Sequence, residues 1–418
     1  MLSLAWKSIC NRWPTALLAL LAISMSVALI LTVEKIRRDA RDSFTQTVSG
    51  TDLIIGARSG SVQLLLYSVF RIGNATNNIS WKTVEEIRQR KSIEWLIPIS
   101  LGDSHAGYRV VGTTKDYFTH YRYADKRPLA LAEGELFDDV FDAVLGSEVA
   151  AELGYKIDQS IVVAHGTGKV GLVEHDKQPF RVSGILKPTG TPVDRAIHVS
   201  LEGIEAMHVD WRNGAAVKGA ATPADTIRQM DLKPAAVTAL LAGLTSRAAV
   251  FREQRAINTY RAEPLLAVIP GVALQELWGL VSVAEKALLI VSICVVFAGL
   301  VNLISVLLAG LNERRREMAV LRASGARPGH VFMLLCIEST VLTLGGIVVG
   351  LLLHYLLTGL GAVFLQERFG LSISAGALPD GADLKILAAI AVAGLFAGTL
   401  PALQAYRKSL SDGLSQRL

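Results

Sequence analysis

The chain has 418 residues, 51% hydrophobic and only 19% charged, with a mean hydropathy of +0.40 and a net charge of +5. Soluble globular chains carry roughly 25% charged residues. The balance therefore excludes an ordinary water-soluble enzyme as the starting expectation, and with it a disordered, collagen-like or disulfide-scaffold chain.

In chain order, Lys7 and Arg12 precede an uncharged run from Ala16 to Val33. A helix that spans a bilayer needs roughly 20 apolar residues and must satisfy its own backbone. The run is long for a signal peptide, and no A-x-A cleavage site follows it. It reads as a retained anchor over 1–33, with a cleaved signal peptide as the alternative. The charged stretch Glu34 to Asp42 continues it as a helical stalk.

Residues 34–285 hold 29 Lys+Arg against 30 Asp+Glu and no cysteine. They form one near-neutral α+β domain, large enough for its own core. Strand-like segments are Asp52–Gly56, Tyr108–Gly112, Ser160–Ala164 and Phe180–Leu186. Helical ones are Ser80–Arg90 and Ser147–Leu153, each with a serine at the cap, and Gly154 closes the second. A strand end followed by a helix fits Val199–Met207. Further helical signals run over Ala224–Ala256, broken at Pro234. Val272–Lys286 is a second stalk leading into the next apolar run.

Three more apolar runs follow: Ala287–Leu311 without charge, Val331–Leu365 with only Glu338 and His354, and Ile386–Leu403 without charge. The segmentation is thus a span at 286–311, a polar segment at 312–330, spans at 331–365 and 386–405 separated by the short loop 366–385, and a tail at 406–418. The short segments 1–33, 311–330 and 405–418 carry +2, +3 and +2, and the loop 366–385 carries −1. That asymmetry puts both termini in the cytoplasm and the large domain outside. Lys35, Arg37, Arg38 and Arg41 run against it, but long domains translocate largely regardless of charge. Cys10, Cys294 and Cys336 all lie in or beside apolar runs.

Between the second and third runs lies Glu313-Arg314-Arg315-Arg316-Glu317-Met318-Ala319-Val320-Leu321-Arg322-Ala323-Ser324-Gly325-Ala326. Leu311–Ser324 reads as a helix with Gly325 at its C-terminal cap, and Pro328 opens the next helix. Met318 and Leu321 share a face, flanked by arginines that suit docking into a groove of another protein. The plainer reading is a basic loop that fixes topology and touches anionic lipid. The segment resembles the cytoplasmic "RRxEIAxLRAxGA" stretch of the MacB/FtsX-like ABC transporter permeases. The order of one span, a large outer domain and three spans agrees with that family. So do Gly50–Gly56, Val111–Thr113, Val144–Ala150 and Thr191–Arg195 within the domain.

The resemblance implies a stand-alone permease subunit of the bacterial inner membrane with a MacB-type periplasmic domain. Its coupling helix would use Glu313, Arg314, Arg315, Arg316, Glu317, Met318, Leu321, Arg322 and Gly325 against a dimeric cytoplasmic ABC ATPase. ATP and Mg would sit on that ATPase, with no cofactor in this chain. Two copies of the permease would pair, with a periplasmic adaptor or substrate protein and membrane lipid as further partners, and no nucleic acid. The mechanism implied is mechanotransmission in efflux or extraction of a substrate. The alternative is a non-transport regulator that relays ATPase state to a cell-wall hydrolase.

Polar groups inside a span are costly and so attract functional readings. Glu338 is either a helix-packing carboxylate or an ion or substrate group. His354 lies near the outer end, and Asn302 suits a bond across a helix pair. Gly346-x-x-x-Gly350 and Gly394-x-x-x-Gly398 are small-residue faces for close helix contact. No catalytic set is present. Gly166-Thr167-Gly168-Lys169-Val170 lacks the first glycine and final hydroxyl of a phosphate-binding loop, and no H-E-x-x-H or G-x-S-x-G occurs. His105, His120, His165, His175, His198 and His208 form no compact ligand pair, so no metal is expected. Asn74-Ala-Thr76 and Asn78-Ile-Ser80 fit a glycosylation pattern, which a bacterial setting makes irrelevant.

Overall fold

The computed structural model describes residues 2–47, 49–124, 126–165, 178–212, 215–216, 222–313, 320, 323, 326–369 and 378–407. The chain divides into two compact units, Met1–Ala40 with Ser282–Leu418, and Arg41–Val281.

The first unit is helical. A short helix, Leu2–Asn11, precedes four long ones at Trp13–Thr47, Pro270–Glu313, Pro328–Phe369 and Gly381–Arg407. All four are long and apolar enough to cross a membrane. Proline opens the second and third, where its missing N–H costs nothing. Asp380 caps the fourth, its Oδ1 accepting from the N–H groups of Ala382 at 2.8 Å and Asp383 at 2.9 Å. Ala19, Ile23, Val27 and Leu31 of the first helix pack at the centre, against Leu303, Leu307, Leu342 and Ile390. The second helix is peripheral: 17% of its apolar window is buried, against 44% for the first and third. Ile290, Ile293 and Phe297 stand exposed along it. The first and second helices are unbroken through the division between the units.

The second unit is built on one mixed sheet. Its main strands are β1 (Leu53–Ala57), β2 (Ile93–His105), β3 (Tyr108–Thr113), β4 (Leu131–Gly134), β5 (Asp142–Leu145), β6 (Phe180–Leu186), β7 (Ala196–Ser200), β8 (Ala239–Leu244) and β9 (Leu265–Val268). The spatial order is β9-β1-β8-β2-β3-β7-β5-β6-β4. Neighbours are antiparallel except β3 with β7 and β5 with β6. Alternation sends residues to two faces. Ile54, Ile97 and Leu241 meet Leu64, Leu65, Tyr117 and Phe118 on one. Leu53, Ile55, Leu240 and Ala242 meet Val84, Ile87 and Ile257 on the other. A further cluster joins Val110, Ala143, Leu145 and Val199 to Phe180 and Met207.

Several local expectations are corrected. Residues 236–237 and 239–244 lie in strands, not in the helical run expected over Ala224–Ala256. β8 is buried along its whole length between β1 and β2, and an apolar run covered on both faces has no strand period to betray it. Ser160–Ala164 is two short pairings, Ser160–Ile161 on β6 and Ala164–His165 on β2. Gly146, not Ser147, is the N-cap of Ser147–Leu153, and no side chain bonds a helix N–H at that cap. Ser80 holds the cap position of Trp81–Arg88, but its hydroxyl bonds Glu263 and Thr83 instead of a helix N–H.

Candidate functional site

The segment singled out for docking begins where the second helix ends, at Glu313. Val320 and Ala323 are helical, and the third helix opens at Pro328. Arg314, Arg315, Arg316, Glu317, Met318, Leu321, Arg322 and Gly325 lie outside the described residues, as does the side chain of Glu313. Just before the segment, Arg12 Nη1 donates to the carbonyl of Gly310 at 3.0 Å. This bond ties the start of the first helix to the end of the second.

Within the helical unit Gly346, Gly350, Gly394 and Gly398 lie at contacts. A Cβ on Gly346 would stand 2.6 Å from Ile23 Cγ2, and one on Gly350 2.7 Å from Val27 Cβ and 2.9 Å from the Ser24 carbonyl. These two positions admit the first helix against the third. A Cβ on Gly394 would meet Thr343 Oγ1 at 2.3 Å, and one on Gly398 Ser339 Cβ at 2.5 Å. The third and fourth helices touch there. Ser339 Oγ donates to the Gly394 carbonyl at 2.7 Å, and Ser26 Oγ contacts the Val295 carbonyl at 3.1 Å. These hydroxyls satisfy themselves on backbone oxygens, as an apolar setting requires.

Glu338 is buried one residue before Ser339. Asn302 is half-buried on the second helix. His354 is buried and shares a 3.0 Å hydrogen bond between its Nδ1 and Thr32 Oγ1 of the first helix. Glu338 and His354 lie on the same helix, Pro328–Phe369, on the order of 24 Å apart by the helical rise, so these two do not share one polar site.

A polar cluster that sequence reading missed lies beyond the apolar stretch of the first helix. Arg38 donates to Asp380 and, at 2.5 Å, to Asp383 Oδ1, so it clamps the first helix to the cap of the fourth. Arg37 binds Glu34 at 2.5 Å and stands 4.0 Å from Glu285 of the second helix. The Asp383 N–H and the Arg38 guanidinium hold the Asp380 carboxyl down at about 2. The available signal was the pair of acids opening the fourth helix opposite a basic stretch just past the first apolar run.

In the folded unit, Arg41 lies 5.7 Å over the Trp278 ring, pairing the ends of the first and second helices. Tyr121 Oη caps the last carbonyl of the first helix, Thr47, at 2.7 Å. Two of the motifs marked in the sequence meet here. A Cβ on Gly146 would lie 2.3 Å from the Asp194 carbonyl, so only glycine allows the Val144–Ala150 and Thr191–Arg195 segments to touch. The buried Asp194 carboxylate accepts from the Thr189 N–H, the Thr189 hydroxyl and the Gly190 N–H at 2.7–2.9 Å. Arg195 reaches Glu148 at 3.0 Å and Glu152 at 3.2 Å. These are structural bonds that organise a loop.

The histidines scatter. His105 bonds the Val162 carbonyl and Tyr155, His120 stacks on Trp95, and His208 bonds the Ile204 carbonyl. His198 is fully buried beside Tyr117. The side chain of His165 and all of His175 lie outside the described residues. Among the described residues no three His, Cys, Asp or Glu side chains gather as metal ligands.

Comparison with known proteins bears on this arrangement. Residues 16–233 match the MacB-like periplasmic core domain family, and residues 289–410 match the FtsX-like permease C-terminal family. A curated relative is the lipoprotein-releasing system transmembrane protein LolC of Neisseria meningitidis, 24% identical over 310 residues that cover 70% of this chain and 69% of that protein. Among solved structures, the periplasmic region of MacB from Actinobacillus actinomycetemcomitans aligns with 55% of this chain and 94% of its own, at 13% identity and a TM-score of 0.32. The extracellular domain of the noncanonical ABC-type transporter YknZ from Gram-positive bacteria aligns with 52% of this chain and 99% of its own, at 11% identity and a TM-score of 0.29. The two family matches take up the first helix with most of the folded unit, and then the remaining three long helices. The chain therefore belongs to the MacB/FtsX-like superfamily of ABC transporter permeases.

Proposed function

We propose that this permease converts ATP hydrolysis on a separate cytoplasmic ATPase into movement of its folded unit, and that the movement extracts a substrate at the outer face of the bacterial inner membrane. The reading rests on one observation: the first and second helices are unbroken through the division between the apolar and the folded unit. A helix rises ~1.5 Å per residue and carries displacement along its axis. In this reading both termini are cytoplasmic, and the segment 313–325 docks on the ATPase, which holds ATP and Mg.

Two copies pair, and the exposed apolar side chains of the second helix face lipid or the second copy. Four spans per chain leave little room for a channel through the bilayer, so work is done outside. The lipoprotein-releasing system to which the LolC relative belongs favours a membrane-held lipoprotein over a soluble efflux substrate. Efflux of a small molecule is the second reading.

The test is co-reconstitution with the ATPase. An Arg315→Glu/Arg322→Glu variant is expected to lose permease-stimulated ATP hydrolysis while retaining membrane insertion. Full stimulation in that variant would remove the coupling assignment.

A further inference from the structure

The helix Val250–Asn258 packs its apolar side, Val250 and Ile257, into the core of the folded unit. Its other side is unusual. Phe251 is 73% exposed, and beside it a cavity of about 690 Å³ is lined by Phe251, Arg252, Gln254, Arg255, Asn258 and Thr259. No acid lines it. Arg58 adds a third guanidinium, bonded to the Asn258 carbonyl at 3.1 Å.

The acids nearby have partners of their own within the unit. Glu253 is buried and binds Arg90 at 3.1 Å, with Arg252 at 3.6 Å. Glu263 accepts from the Ser80 N–H and hydroxyl, and Glu86 from Tyr260. The lining of the patch is thus cationic, with the buried Glu253 beneath Arg252.

The same helix protects a sheet edge. Asn258 and Gln254 donate to the Ala267 carbonyl of β9, and Asn258 Oδ1 accepts from the Ala267 N–H at 2.6 Å. β9 ends the sheet, and these side chains occupy the groups another strand would take. A partner must therefore engage the helix face itself.

We infer that the face formed by Phe251, Arg252, Arg255 and Thr259 is the docking surface for an acidic segment of a partner protein. Exposed aromatic and arginine side chains together are the chemistry of interface anchors. Guanidinium pairs recognise carboxylates in two-pronged fashion. A lipid surface would require a broad apolar helix face, and here that face is already buried, with one large apolar side chain left outside. A lone phosphate would use the arginines and leave Phe251 without a role. The inference needs only that the folded unit be in water, so it stands or falls apart from the coupling reading.

The test uses the full chain in detergent micelles and a short fluorescein-labelled Glu/Leu peptide, followed by anisotropy. Binding should weaken as salt rises. It should fall about tenfold or more in Arg252→Glu/Arg255→Glu and at least threefold in Phe251→Ala. The control Lys156→Glu/Lys187→Glu, exposed elsewhere on the unit, should bind as the unaltered protein does. Far-UV circular dichroism checks that each variant is folded, and Arg255→Gln repeats the test without charge reversal. Equal weakening in both double variants would reduce the effect to net charge and overturn the inference. So would an unchanged Phe251→Ala variant together with displacement by inorganic phosphate. Arginine-dependent binding to phosphatidylglycerol vesicles in place of the peptide would reassign the surface to lipid.

Discussion

The glycines of the third helix allow a test in which one substitution type gives opposite signs. Gly→Ala in a helix interior gains ~1 kcal/mol of propensity when the added methyl meets nothing. Gly359 and Gly361 are such positions, with no atom within 4 Å of a built Cβ. At Gly346 and Gly350 the same methyl would stand 2.6 Å and 2.7 Å from Ile23 and Val27. Carbon atoms rest about 3.5–4 Å apart, so the first and third helices must separate by about 1 Å or distort. Overpacking of this kind costs ~1–3 kcal/mol. After the propensity gain, Gly346→Ala and Gly350→Ala should each lose ~0–2 kcal/mol, while Gly359→Ala and Gly361→Ala gain up to ~1 kcal/mol. The double variant should cost less than the sum, because one separation relieves both clashes. Unfolding in mixed micelles by added SDS, followed by circular dichroism, measures the differences. If all four variants are stabilised alike, the close contact of the first and third helices is wrong.

Three further outcomes are expected. Burial, and then the charge of Arg71, pushes the His198 imidazole down from 6.5 to about 3. It therefore stays neutral while the unfolded chain takes up a proton. Stability is complete above about pH 6.5 and falls as the pH drops toward 3, and a melting series in which His198→Gln keeps the same slope would refute this. Asp194→Ala removes the buried carboxylate that accepts from the Thr189 and Gly190 N–H groups, at about 1–3 kcal/mol for the lost charge-assisted bonds. The urea midpoint should drop at unchanged slope, and an unaltered midpoint would contradict the bonding described. In the clamp between Arg38 and Asp380, the Asp383 N–H and then the guanidinium hold the Asp380 carboxyl at about 2. The clamp should persist above the ordinary carboxylate range and be lost as pH falls through about 2. Arg38→Gln and Asp383→Asn should be non-additive in the SDS titration, and strict additivity would argue against the clamp.

The long helices were legible because their signal is local: uncharged runs of 18 or more residues flanked by charge. Of their starts, Pro328 was legible, whereas Pro270 and the Asp380 cap were not read from the sequence. β1, β3, β6 and the end of β7 were legible as strands, but β2, β4, β5, β8 and β9 were not, nor was the order, since nothing near Leu53 indicates that it pairs with Ala242. β8 escaped because Ala and Leu suit a helix, and only burial on both faces makes them a strand. Glycine spacing marked Gly346, Gly350, Gly394 and Gly398, though not which helix each would meet. The Arg38 clamp was hidden because its two sides lie 342 residues apart.

The sheet order has a consequence for biosynthesis. β1 lies at the centre of one end of the sheet, yet both its neighbours, β8 and β9, come from the far end of the folded unit. At ~5–20 residues per second, Leu53 waits on the order of 10–40 s for Ala242 to be made. During that interval Leu53-Ile54-Ile55-Gly56-Ala57, wholly apolar and due to be wholly buried, has no strand on either side. Such a segment is prone to pair with the wrong chain. The nascent protein is then at its most vulnerable just after its first helix has been placed. A holdase that shelters residues 53–57 until synthesis reaches Val268 would raise yield without touching the finished fold.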